Sequence, residues 1–164
     1  MQTTVRTLDP DDWTTARDVR LAALAEAPDA FASTLASQQV NTEADWRAML
    51  DGSRGIRAVA EVGTEVAGVI GAFSRGGVGE IVWMWVVPGY RGGTVGAALV
   101  TYAVDWCAVQ GLGCVLWVAD GNERARRFYA RNGFVSTGER QPFPGDPERR
   151  EFQMAYKPTM VDSL

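Results

Sequence analysis

The sequence predicts an α/β domain with a mixed, mostly antiparallel central sheet of about seven strands flanked by about four helices. Two observations carry that expectation. Hydrophobic period along the 164 residues runs strand, two helices, three strands, helix, strand, helix, two strands. No repeat, low-complexity tract or linker divides the chain, so 1–164 reads as one domain, large enough to fold without a disulfide or metal.

The elements follow in order. Thr3–Leu8 reads as a strand, and Asp9 with Pro10 as a turn. Acids open the next stretch, in which Trp13, Ala16, Val19 or Arg20, Ala23 and Leu24 recur near helical spacing until Pro28 stops it. Residues 28–40 read as mixed loop or short helix. Asn41 or Thr42 caps a second helix, with Trp46, Met49 and Leu50 at i, i+3 and i+4 and Gly52 at its end. Gly55–Val62 and Val66–Phe73, joined by a glycine turn, read as a hairpin. Glu80–Val87 carries no charge after Glu80, which predicts a central strand buried on both faces. From Gly93 to about Gln110 the pattern is helical, with Val95, Leu99, Tyr102, Ala103 and Trp106 on one face. Cys114–Ala119 reads as another buried strand. Asn122 caps a short helix that Gly133 closes, and Phe134–Arg140 and Glu151–Lys157 form the last strands around the turn PGDPE.

Composition narrows the chemistry. A net charge of −4 offers no basic face for nucleic acid. No apolar run approaches the ~18 residues of a membrane span, and the opening MQTTVRTLDPDD lacks a signal-peptide layout. The expectation is a cytoplasmic protein that binds neither nucleic acid nor membrane. The chain has no histidine, which excludes Ser–His and Cys–His nucleophile pairs and histidine metal sites. Any general base must be a carboxylate, a tuned amine, a tyrosinate or ordered water, and no metal is expected. Cys107 and Cys114 lack CxxC spacing and read as packed thiols.

The stretch VVPGYRGGTVGAAL, from Val86 to Leu99, places glycines between a strand and a helix. Such glycines let backbone N–H groups converge on a phosphate at a helix N-terminus; they are also ordinary turn residues. A P-loop needs GxxxxGK[ST], and Gly96 is followed by Ala97 and Ala98 instead. GGTVG also lacks the GxGxxG spacing of a dinucleotide fingerprint.

RGGTVGAAL after VVP resembles the acetyl-CoA loop of the Gcn5-related N-acetyltransferase (GNAT) family, [QR]xxGx[GA]. Asn122, Ala125, Phe128, Tyr129, Gly133 and Phe134 reproduce that family's second motif, NxxAxxFYxxxGF, downstream. The element order agrees, so the resemblance covers most of the chain. It implies a GNAT-like domain with acetyl-CoA as co-substrate. Pyrophosphate would lie on the N–H groups of Gly92, Gly93, Thr94, Val95, Gly96 and Ala97, beside Arg91. The pantetheine arm would pair with Met84, Trp85 and Val86, and Asn122 would bond it. Thr94 stands where the family has glycine. A β-branched residue disfavours positive φ, so the loop must be right-handed helical there.

An alkyl ammonium titrates near ~10.4, so transfer of an acetyl group to an amine calls for a base. The stretch EIVWMWV resembles the strand of the histone-acetyltransferase branch whose leading glutamate is the base, which makes Glu80 the candidate; the other reading is a solvated charge. Glu26, Asp29 and Asp120 remain open. The resemblance implies Tyr129 as the acid near the sulfur, against a core aromatic beside Phe128, and the Val86 N–H as the oxyanion donor. It builds the acceptor pocket from the first two helices, their connection and the last strands, which offer Phe31, Ser33, Thr34, Trp46, Trp83, Trp85, Trp117 and the stretch QPFPGDPERRE. The six tryptophans would line a pocket for an aromatic or cationic substrate, or fill the core. The expected function is transfer of acetyl from acetyl-CoA to a primary amine of a small metabolite or antibiotic-like molecule, by direct attack in a ternary complex. Protein N-terminal or lysine acetylation and a catalytically silent acyl-CoA-binding module are the alternatives, and a homodimer is compatible. A nucleotide-binding protein would instead take ATP or NAD.

Overall fold

The computed structural model describes residues 1–158; residues 159–164 of the expected single domain lie outside the described part. Its strands are β1 (Thr3–Thr7), β2 (Gly55–Val62), β3 (Glu65–Arg75), β4 (Val78–Val86), β5 (Gly113–Ala119), β6 (Phe134–Phe143) and β7 (Asp146–Tyr156). Its helices are α1 (Trp13–Glu26), α2 (Leu35–Gln39), α3 (Glu43–Met49), α4 (Val95–Val109) and α5 (Glu123–Arg131). The seven strands form one sheet in the order β1-β2-β3-β4-β5-β7-β6, antiparallel at every pair except β4–β5.

Among the described residues five helices form where the sequence suggests about four. The extra one, α2, lies in the stretch read as mixed loop or short helix, where Thr34 and Ser37 exchange capping-box hydrogen bonds. Helix α1 starts at Trp13, because Pro10–Asp12 forms a separate 3-10 turn capped by Asp9. The last hairpin is longer than expected: β6 reaches Phe143 and β7 begins at Asp146, with Gly145 at φ 87° making the tight turn between them. None of the described helices is long and apolar enough to cross a membrane.

Strand alternation divides the core between the two faces of the sheet. Ala58 and Ala60 of β2 pack with Leu99, Leu116 and Phe134 on the α4 side, whereas Val59 packs with Leu8, Val19 and Val69 on the α1 side. The buried thiols Cys107 and Cys114 lie in the first of these clusters, as packed residues.

The feature that positions the site is a split in the sheet. Strands β4 and β5 pair only where Val78–Glu80 meet Gly113–Val115. Beyond Glu80 each strand bonds to its outer neighbour alone. A register shift opposite Ile70 bulges β4 at Trp83 and Met84, and Trp83 sits at φ 61°. This corrects the expectation that the strand is buried on both faces. Ile81 and Trp85 are buried, but Val82, Trp83 and Met84 are half-buried, because the missing neighbour exposes them to a cleft.

Candidate active site

The split opens into two chambers that share Ala30, Phe31, Met84 and Tyr129. The first, a cleft of about 580 Å³, runs along the open edge of β4 to the N-terminus of α4 and the face of α5. The Val87 N–H bonds the Ala67 carbonyl on β3 at 2.8 Å, so strand alternation turns the peptide groups of Met84 and Val86 toward the open side. Arg91 Nε donates to the Val86 carbonyl at 2.9 Å, which leaves the Val86 N–H facing the cleft.

At the far end, the first helical hydrogen bond of α4 runs from the Ala98 N–H to the Thr94 carbonyl. The amides of Val95, Gly96 and Ala97 precede it and have no helical acceptor. Gly92 adopts φ 79° and a Cβ there would meet nothing within 4 Å, so the loop is open above its own amides. Thr94 is right-handed helical, φ −92° and ψ −11°, as a β-branched residue requires. Its hydroxyl faces that of Thr3, 3.5 Å away. These groups fit a diphosphate: bare donors, a helix dipole and no side chain in the way.

Arg91 is committed to protein contacts. Its Nη1 and Nη2 donate to Glu26 Oε1 and Oε2 at 3.2 and 2.8 Å, and Trp85 Nε1 donates to the same carboxylate at 2.8 Å. The bonds from Arg91, then that from Trp85, hold the Glu26 carboxyl below its ordinary range. Glu26 is thus an anchor between α1 and the loop, and a poor base. Asn122 caps α5 by accepting from the Ala125 N–H at 3.2 Å, and it lines the cleft.

The second chamber, about 380 Å³, lies where Glu80, Trp83 and Trp117 face Phe31 and Ser33. Residues 28–34 roof it, held by the bond from Arg149 Nη2 to the Asp29 carbonyl at 3.2 Å. Thr34 is not brought in; its hydroxyl is used in the α2 cap. Asp120 pairs with Arg140, and neither it nor the Asp29 side chain lines a chamber.

Glu80 is 8% exposed, with Arg75 Nη1 3.8 Å from its Oε2. Beside it stands Glu151, 7% exposed, whose carboxylate accepts from Gln141 Nε2 at 2.6 Å. Burial pushes the Glu151 carboxyl above its ordinary range, and the charge of Glu80 adds to this against the Gln141 bond. Burial alone pushes the Tyr129 phenol well above its usual value. The phenol is therefore a proton donor throughout the neutral range.

Three further residues, Arg57, Arg124 and Arg131, are not singled out by the sequence, and Glu151 is present there only as the end of the QPFPGDPERRE stretch. Arg124 and Arg131 of α5 line the first chamber and supply cations there. Glu151 and Arg57 line the second. Arg57 is a charge at an inward position of the apolar strand β2, and that is the available signal; Glu151 sits on the strongly charged β7, where no local pattern marks it.

The family model for the acetyltransferase (GNAT) family matches residues 21–134. A protein of Archaeoglobus fulgidus described as an uncharacterised N-acetyltransferase is 38% identical over 80 residues, which cover 44% of this chain and 54% of that protein. The match thus spans about half the length of that relative. The structure of PaiA N-acetyltransferase from Thermoplasma acidophilum with coenzyme A superposes with a TM-score of 0.74 at 19% identity, covering 96% of this chain and 100% of that one. Spermidine N-acetyltransferase from Vibrio cholerae, in complex with CoA and spermine, gives 0.73 at 17% identity over 94% of each chain. At these identities the two structures establish a shared fold.

Proposed function

Since the chain belongs to the GNAT acetyltransferase family, we propose that it is an acetyl-CoA-dependent N-acetyltransferase acting on a primary amine of a small molecule. The observation that carries this reading is the meeting of the two chambers at Met84 and Tyr129. One chamber ends in bare amides at a helix N-terminus, and the other holds two buried carboxylates. The relatives named above, an N-acetyltransferase by description and a spermidine acetyltransferase, support the same class. An acceptor chamber of about 380 Å³ under a roofing loop suits a small molecule better than a protein segment.

Acetyl-CoA supplies, when bound, an acyl group activated as a thioester. The amides from Gly92 to Ala97 bind its phosphates, with Arg124 and Arg131 as nearby cations. Met84 and Val86 offer strand-edge bonds to the extended arm, and the Asn122 amide bonds it from α5. Glu80 and Glu151 hold the incoming ammonium and accept its proton. Burial raises the affinity of Glu151 for a proton, which suits it to accept one from an ammonium. The amine nitrogen would then bond to the acyl carbon as the carbon–sulfur bond breaks, and its second proton would pass to the departing thiolate, which leaves an amide and free CoA thiol. The Val86 N–H donates to the acyl oxygen as it gains negative charge. Tyr129 donates a hydrogen bond to the departing sulfur, whose own proton affinity is below that of the phenol.

CoA-thiol release over a panel of amines, paired with calorimetry for acetyl-CoA, tests this. Micromolar binding with amine-dependent release is expected. Tight binding with no release on any amine would leave a silent acyl-CoA-binding module, and binding of ATP or NAD in place of acetyl-CoA would refute the cradle assignment.

A further inference from the structure

Arg20 and Arg57 have no task in the reaction just described. Arg20 rises from the buried stripe of α1 and is 3% exposed. Arg57 leaves β2 and crosses Gly71, whose missing side chain opens its track: a Cβ there would lie 2.9 Å from Arg57 Cδ. Both guanidinium groups end over the same indole, each 4.6 Å from the Trp83 ring centre. Arg20 also stacks on Phe31 at 4.9 Å. The bulge at φ 61° thus presents Trp83 as a platform for two cations.

Two cations this close repel, and burial penalises both. Burial, with the charge of Arg57, lowers Arg20 to about 10, so both groups stay charged at neutral pH. Among the described residues no carboxylate lies within ion-pair distance of either. Their protein bonds go to neutral oxygens: Arg20 Nε to Gln38 at 3.4 Å, and Arg57 Nη1 to the Ile56 carbonyl at 3.2 Å. Arg20 Nη1 and Arg57 Nε are buried without any partner. Both side chains line the chamber that holds Glu80 and Glu151. One wall is cationic and unpaired, and another is anionic.

We infer that the acceptor is an amino-carboxylate, its amine against Glu80 and Glu151 and its carboxylate bound by Arg20 and Arg57 above Trp83. This rests on the acetyltransferase reading of the same site. A planar carboxylate matches the guanidinium fork and supplies the missing counter-charge. A zwitterion also balances both walls at once. A polyamine would instead set a second cation against two arginines that already repel each other. The aromatic walls at Phe31, Trp83 and Trp117 admit an apolar side chain between the charges.

The test uses the intact protein with acetyl-CoA, the common L-amino acids, and their decarboxylated amines, such as phenylalanine against phenethylamine and lysine against cadaverine. The best acceptor should carry a carboxylate and exceed its decarboxylated partner at least tenfold in kcat/KM. Arg20→Gln and Arg57→Gln should each bring that ratio close to one. Arg20→Lys and Arg57→Lys keep the charge and lose the fork, so the ratio should fall several-fold even if the glutamine variants fold poorly. An independent readout needs no turnover: deaminated acids such as 3-phenylpropionate should raise the Tm of the wild-type protein with CoA, and not that of Arg57→Lys. Amines turned over as well as, or better than, their carboxylated partners would overturn the anion subsite and keep the transferase. A Tm shift that needs both arginines, with no CoA release from any amine, would keep the subsite and refute the transferase.

Discussion

Tyr129 lines both chambers, and its ring meets those of Phe128 and Phe134 edge to face at 5.2 and 5.7 Å. Tyr129→Phe keeps that packing and removes the donor. A fall in kcat on the order of 10²-fold is expected, with acetyl-CoA affinity little changed; near wild-type turnover would return the ring to a packing role. The phenol is pushed upward, so no limb of the pH–rate profile below about pH 9 should disappear in this variant. At Glu80 and Glu151, replacement of either by Gln should lower kcat/KM at pH 7 by about tenfold or more. The loss should shrink as pH rises and free amine appears without help. Glu151→Gln has a second consequence. A carboxyl with a raised folded-state pKa costs stability once ionised, so the variant should melt above wild type at pH 7. That advantage fades as pH falls through the raised pKa. Thermal melts at pH 7 and pH 4 read the difference directly.

Helix α4 and its loop act as an element. Gly93→Val meets only the Tyr90 carbonyl at 3.8 Å, so the fold should survive while the side chain shields the amides and weakens acetyl-CoA binding at least tenfold. Calorimetry with circular dichroism separates the two effects. Gly96 is a poorer probe, because a Cβ there lies 3.0 Å from Phe128 and would move α5. Thr94→Gly should leave the acetyl-CoA Kd within about twofold, ~0.4 kcal/mol, since the hydroxyl faces Thr3 and not the cradle. Glu26→Gln should leave the pH–rate profile intact, because Glu26 is a bonded anchor. The half-exposed pair with Arg91 contributes no more than about 1 kcal/mol to stability. Its depressed carboxyl supplies that contribution at neutral pH and loses it as pH falls through the folded-state pKa.

The whole molecule works as a sheet packed on both faces and torn between β4 and β5. Cys107 and Cys114 lie in the closed part, 1% and 5% exposed. A disulfide-exchange thiol reagent should therefore detect no protein thiol in the native state and two per chain on denaturation, at a rate set by opening of the core. The same reagent can then follow CoA release without interference. The element order, the glycine loop before α4 and the right-handed Thr94 were legible from residues alone. Each depends on local period, turn chemistry or backbone sterics, which neighbours along the chain determine. Glu80 was visible as the last charge before an apolar run. Its partner Glu151, 71 positions later, was not, since only the β5–β7 and β4–β5 pairings bring the two together. The Arg20–Trp83–Arg57 stack joins a helix to two strands, one of them bulged, and no periodicity encodes such a meeting. The sequence by itself determined the architecture and the glycine loop at the N-terminus of α4, because hydrophobic period and turn chemistry are local properties. The tertiary structure alone decided which charges the second chamber presents, because they come from separate elements and their unpaired state exists only after folding.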